Sequence, residues 1–253
     1  EFWALTLEEK ARLGALAVKT SAGRGPIILG AAAVTPDAVL EVAHAAKDAG
    51  CAAALVTPPY FVRTSDAETI AHFEAVAAGT PLPLMVYNIP GNAGNLITAE
   101  IADTLADIDP IVAIKESSGD WNIFHGVLNA AGDRVRVFCG PSSVFGVSAT
   151  LAGADGLIDC FPNVWGDCLN IWTTTKAGRL DEAWQLQATG MALTKLFTTG
   201  RRSLYPATKA AMDFLNLPGG GPPRAPLQPL EGAPLRELLE ALPTLIRTPE
   251  LVA

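Results

Sequence analysis

Short apolar runs alternate with longer amphipathic segments along most of this 253-residue chain, and no other feature restricts its fold as strongly. A run of about four to eight apolar residues makes one strand covered on both faces. The longer segment after each run suits a helix that returns the chain to start a parallel neighbour. The runs predict strands over 26–32 (PIILGAA), 51–57 (CAAALVT), 82–88 (LPLMVYN), 111–116 (IVAIKE), 134–139 (RVRVFC) and 156–160 (GLIDC). Helices are predicted over 6–20, 36–49, 66–78, 98–107, 120–131 and 142–152. Several starts carry caps: Thr6 with Glu9 three residues on, Thr35 before Pro36, and Ser65 with Glu68. Beyond the last strand only helices are predicted, over 164–177, 180–199, 203–215 and 234–245. The break PGGGPPRAP, Pro218 to Pro226, reads as a loop inside one domain. Six strands do not close a barrel that needs eight, so either the sheet is open or two strands precede residue 1 and are missing from this chain.

Composition removes several function classes. With a net charge of −8 and no basic cluster longer than Arg201-Arg202, the chain offers no surface for nucleic acid or phospholipid. Its longest apolar runs, such as Cys51 to Val56, fall far short of the roughly 20 residues that span a bilayer. The opening EFWALTLEEKARL has neither the basic start nor the apolar core of an export signal, which points to the cytoplasm. Cys51, Cys139, Cys160 and Cys168 show no CxxC spacing and read as reduced thiols. His44, His72 and His125 fall singly in predicted helices, so no metal site is expected.

Of seven lysines, six lie in helical segments with access to water, whereas Lys115 ends the apolar run DPIVAIKE. At the carboxyl end of a parallel strand, such a side chain can face a substrate pocket. Low-dielectric surroundings keep an amine uncharged and able to attack a carbonyl. An ion pair with Glu116 or another carboxylate is the plainer alternative. Tyr87 stands 28 residues earlier, near the end of the preceding run, so two adjacent strands bring a phenol and an amine to one rim. A phenol there can relay protons, although an ordinary aromatic at a strand end would look the same. Gly140 in FCGPSS and Ile158 in GADGLIDC follow or lie on later strands, and Tyr60 and Phe61 follow a Pro-Pro pair.

YNIPGNAG, then IVAIKESSGD one unit later, then GADGLI, together with VTPPYF, the late RRSLYPATKAAMDFL helix and the PPRAPLQPL tail, resemble the dihydrodipicolinate synthase and N-acetylneuraminate lyase superfamily of class I aldolases. The likeness covers essentially the whole chain. It implies a (β/α)8 TIM barrel with a C-terminal helical extension, its first two strands missing here. Residues 1–163 would form the barrel portion, and 164–253 the last barrel helix and C-terminal segment of the same domain. It also implies a homotetramer or homodimer, no metal or organic cofactor, and a Schiff-base lyase acting on a 2-oxo acid, with pyruvate as product or co-substrate. Carried over by position, Lys115 forms the imine and Tyr87 relays protons. Gly140 and Ile158 face the imine and the substrate carboxylate.

This sequence departs from the family pattern at several points. Glu1 matches the glutamate that closes a G-T-T-G-E type loop whose hydroxyls bind the substrate carboxylate, and the rest of that loop is not in this chain. Asn92 stands where the lysine-biosynthesis branch has an arginine, and Phe61, after Tyr60, stands where it has a second tyrosine. A 4-hydroxy-2-oxo acid or a 2-oxo-3-deoxy sugar acid is therefore the expected substrate, in preference to those of dihydrodipicolinate synthesis; no residue speaks for sialic acid. Two other readings stay open: a non-catalytic relative that binds a 2-oxo acid or only assembles, and an open doubly wound α/β binding protein, which lacks the GxGxxG phosphate fingerprint.

Overall fold

The computed structural model describes residues 1–246 and holds a six-stranded sheet whose strands lie side by side in sequence order. The elements are α1 (Leu7–Ser21), β1 (Ile28–Gly30), α2 (Pro36–Asp48), β2 (Ala53–Val56), α3 (Asp66–Gly79), β3 (Leu84–Asn88), the single turn α4 (Pro90–Ala93), α5 (Ala99–Leu105), β4 (Ile111–Glu116), α6 (Trp121–Ala131), β5 (Arg136–Cys139), α7 (Ser142–Ala152) and β6 (Gly156–Leu157). Four helices follow: α8 (Asn170–Lys176), α9 (Leu180–Thr198), α10 (Leu204–Phe214) and α11 (Gly232–Leu245). β1 to β5 pair in parallel without a reversal of order. A doubly wound sheet reverses at its crevice, so the unbroken order corrects that alternative to the sheet of a barrel-type fold.

Two compact units make up the chain: a sheet unit of Phe2–Gly140 with Gly153–Gly156, and a helical unit of Glu1, Pro141–Ala152 and the chain from Leu157 onward. Local chemistry sets the helix starts of the sheet unit. Thr6 Oγ1 accepts from Glu9 N at 3.2 Å while Glu9 Oε2 accepts from Thr6 N at 2.9 Å, and Ser65 and Glu68 repeat that reciprocal cap on α3. Each such cap contributes about 1 kcal/mol.

The two faces of the sheet differ. Val56, Val86, Ile114 and Val137 lie in register across four strands, and all are fully buried. On the other face Met85 and Ala113 are buried, but Leu55, Tyr87, Lys115 and Phe138 are only partly covered and Arg136 is exposed. An irregularity between Leu84 and Met85 leaves Val112 without a β3 partner, which accounts for an exposed valine within an apolar strand.

Element ends differ from the sequence reading where side chains or prolines intervene. β1 is shorter than 26–32 because Pro26 has no N–H to give, although Ala31 N still bonds Leu55 O at 2.8 Å. The helix expected over 164–177 is a 3-10 turn, Gly166–Leu169, followed by α8. Buried Trp165 is extended at φ −144°, which stops a helix from running through it.

In the helical unit, α7 kinks at Phe145 (φ −142°, ψ 32°). Buried Gln187 of α9 fills the break, accepting from Val147 N at 3.0 Å and donating to Ser142 O at 3.1 Å. Phe161, Ile171, Leu193, Phe197, Leu238 and Leu242 form the heart of that unit's core. Among the described residues, no helix is long and apolar enough to cross a membrane.

Candidate active site

Tyr87 and Lys115 are ladder partners on β3 and β4, and Lys115 Nζ sits 4.0 Å from the centroid of the Tyr87 ring. Both are half-buried on the less covered face, while their neighbours in sequence, Val86, Asn88, Ile114 and Glu116, are fully buried on the opposite one. Side chains alternate along a strand, so one residue of register separates an amine in an accessible cleft from one sealed under helices.

The next row, Asn88–Glu116–Cys139, is fully buried behind that pair. Asn88 Nδ2 donates to Glu116 Oε1 at 3.2 Å and to Ile97 O at 3.0 Å, and Asn88 Oδ1 accepts from Ile97 N at 2.9 Å. Glu116 Oε1 also accepts from Ser118 N at 2.8 Å, while Oε2 has no hydrogen-bond partner among the described residues. Burial raises the Glu116 carboxyl above the usual glutamate range, and the bonds from Ser118 and Asn88 only partly oppose that. The sequence reading gave these two residues no joint role. The same 28-residue spacing that pairs Tyr87 with Lys115 also pairs Asn88 with Glu116, so the signal was present.

Gly140 follows β5 and donates its N–H to Glu116 O at 2.7 Å. A Cβ there would lie 1.7 Å from Ser117 Oγ and 2.8 Å from Glu116 O, so the glycine lets the ends of β4 and β5 meet.

The loop after β2 carries Thr57, Tyr60 and Phe61. Tyr60 is half-buried and meets Phe2 edge to face, with ring centroids 6.1 Å apart. Phe61 is 96% exposed and holds φ at +74°, a left-handed conformation that strains a residue with a side chain. Buried Asn95 fixes this loop: its Nδ2 donates to Pro59 O at 2.7 Å and to Val62 O at 2.8 Å, on either side of Phe61, and its Oδ1 accepts from Thr64 N at 3.2 Å. Arg63 adds a hydrogen bond to Gly94 O. Asn95 lies 36 residues beyond Pro59, with no motif linking them, so sequence reading missed it. Asn92 is exposed on α4, the turn that directly follows Tyr87 and Asn88.

Glu1 and Ile158 belong to the helical unit. Glu1 Oε2 pairs with Lys209 Nζ at 2.9 Å and its Oε1 accepts from Arg224 N at 2.8 Å. Burial alone would raise its carboxyl, but the bonds from Lys209 and Arg224 and the nearby positive charges together outweigh it and lower the carboxyl below the usual range. Ile158 directly follows β6. His72 is buried in α3, which lowers its pKa. Cys51, Cys139 and Cys168 are buried and Cys160 is exposed, all as thiols. Among the described residues, no three His, Cys, Asp or Glu side chains converge as a metal site would require.

The pattern of the Dihydrodipicolinate synthetase family matches residues 1–244. A 4-hydroxy-tetrahydrodipicolinate synthase from Clostridium perfringens (strain ATCC 13124) is 30% identical over 239 residues, which is 94% of this chain and 81% of that protein. Among solved structures, the chloride-inhibited dihydrodipicolinate synthase from Acinetobacter baumannii, complexed with pyruvate, superposes with a TM-score of 0.86 at 28% identity, covering 97% of this chain and 83% of that one. YagE, a prophage protein from E. coli K12 in complex with pyruvate, gives 0.89 at 24% identity over 96% of this chain and 83% of its own, a likeness of fold.

Proposed function

Since the chain belongs to the dihydrodipicolinate synthetase family and is a lyase-type enzyme, we propose that it forms a Schiff base between Lys115 and a 2-oxo acid, with pyruvate as product or co-substrate. One observation carries this reading: the Lys115 amine lies 4.0 Å from the Tyr87 ring on the accessible face of a parallel sheet, at its carboxyl end. Relatives solved with pyruvate support the substrate class.

In the proposed step, neutral Nζ attacks the C2 carbonyl, forming a C–N bond. The carbonyl oxygen takes up two protons and leaves as water, giving an iminium. For a 4-hydroxy-2-oxo acid, Tyr87, as the phenolate left after giving its own proton to the departing water, accepts the C4 hydroxyl proton; the C3–C4 bond breaks, its electron pair enters the iminium to give an enamine, and C4 leaves as an aldehyde. Protonation at C3 and hydrolysis of the imine then release pyruvate and the free amine. Within the sheet unit, Gly140 is assigned to the pocket around the imine, and Asn92, Tyr60 and Phe61 to substrate selection. The complete fold is taken as an eight-stranded (β/α) barrel, of which residues 1–163 contribute strands three to eight and the rest a helical extension of the same domain. The enzyme acts in the cytoplasm as a homotetramer or homodimer.

The names of the relatives favour a second reading, 4-hydroxy-tetrahydrodipicolinate synthesis. Against it, Asn92 offers no positive charge at the turn after Tyr87. Both readings share the imine. Incubation with pyruvate and borohydride should add one reduced pyruvyl group to Lys115, read by intact mass and peptide mapping, and Lys115→Ala should abolish it while keeping a cooperative melt. An unmodified wild-type mass would sink both readings. A screen of 4-hydroxy-2-oxo acids, 2-oxo-3-deoxy sugar acids and the synthase substrates then separates them.

A further inference from the structure

Four buried side-chain polar atoms lack a hydrogen-bond partner among the described residues: Thr57 Oγ1, His72 Nε2, Glu116 Oε2 and Ser117 Oγ. Three of these belong to the ends of β2 and β4, on either side of the strand that carries Tyr87. A buried hydroxyl with no partner costs about 1–3 kcal/mol, so each such atom calls for something that meets it.

Thr57 is the most informative of the four, at 6% exposure. It precedes Pro58, and the ring of a proline holds the residue before it in an extended conformation. The alternation of β2 therefore continues through it, which sets Thr57 on the same face as Leu55. Leu55 is the ladder partner of Met85, and Tyr87 lies two residues beyond Met85, so Thr57 and Tyr87 occupy corresponding positions on neighbouring strands. Neighbouring strands lie about 4.8 Å apart. The order across the rim is Thr57, Tyr87, Lys115, with the amine leaning over the phenol ring and so toward the threonine column.

The geometry points to Thr57 as a substrate-binding residue, its hydroxyl making a hydrogen bond to an oxygen of the 2-oxo acid held at Lys115. This rests on the imine chemistry proposed above. A threonine kept only for packing would be better replaced by valine, which has the same shape and no unpaired hydroxyl. One that meets an oxygen of the ligand explains why the hydroxyl is aimed at this rim, buried and without a protein partner.

Thr57→Val and Thr57→Ser, measured beside the wild type, decide the question. Pyruvate is the probe, and the readout is the concentration giving half-maximal borohydride trapping on Lys115, together with the thermal midpoint. The valine variant should melt at or above the wild-type midpoint yet need about tenfold more pyruvate, the weight of one hydrogen bond to a charged or polarised oxygen, and serine should restore wild-type behaviour. An unchanged pyruvate requirement in the valine variant would overturn the assignment and leave the hydroxyl as a packing residue. So would a weakened trap that comes with a lower midpoint and is not rescued by serine, since that marks general damage. Absence of trapping in the wild type would count instead against the imine reading itself.

Discussion

Glu116 shows how much a single buried carboxyl can reveal about its surroundings. It is fully buried, one oxygen takes hydrogen bonds from Ser118 N and Asn88 Nδ2, and the other has no partner among the described residues. Burial raises its pKa in the folded protein, so the folded state holds this proton more tightly than the unfolded chain does. Stability from this group is therefore greatest below the ordinary glutamate value of about 4.3. It falls as pH rises through that value, and levels off once the raised folded pKa is passed. Glu116→Gln keeps the accepting oxygen and removes the titration. The variant should gain on the wild type as pH increases across that window, in urea unfolding at a series of pH values. Parallel curves would mean that Glu116 keeps an ordinary pKa.

At the scale of elements, most of the architecture was legible because apolar periodicity and capping are local. The strand IVAIKE and the helix starts at Thr6, Thr35 and Ser65 stand where the sequence puts them. What escaped was set by contacts distant in sequence. The one-turn helix α4 has no periodicity to detect, β6 is two residues where five were read, and the break before α8 depends on where Trp165 is buried. Of the candidate site, the Tyr87 and Lys115 pairing could be read from spacing, whereas Asn95 belongs to no motif, and the VTPPYF motif that holds Thr57 carries no sign that its hydroxyl is buried without a partner. The meeting of β4 and β5 yields a test of its own. Gly140→Ala would drive a methyl group against Glu116 O, a backbone atom that cannot rotate away, although Ser117 Oγ can. A loss of about 1–3 kcal/mol is expected, as for overpacking in a filled core. A denaturation midpoint equal to that of the wild type would show that the two strand ends separate without cost.

Across the whole molecule, the four thiols report on how tightly each part is closed. Cys51 and Cys168 are buried, and burial raises both, Cys168 to about 12, while Cys139 is sealed in the row with Asn88 and Glu116. Only Cys160 is exposed. A thiol-specific colorimetric reagent should therefore modify one cysteine quickly in the native protein, mapping to Cys160, and the other three only on unfolding. A second fast site would show that one of the two units opens readily. The sheet unit has a further property that matters for altering the enzyme. The amine and the phenol are pinned by main-chain bonds between strands, whereas residues 59–64 hang on the side chains of Asn95 and Arg63. On the proposed reading, appetite for new molecules should be open to change by randomising positions 60 to 62, while Arg63 and Asn95 keep the loop in place and the pairing of Tyr87 with Lys115 stays undisturbed.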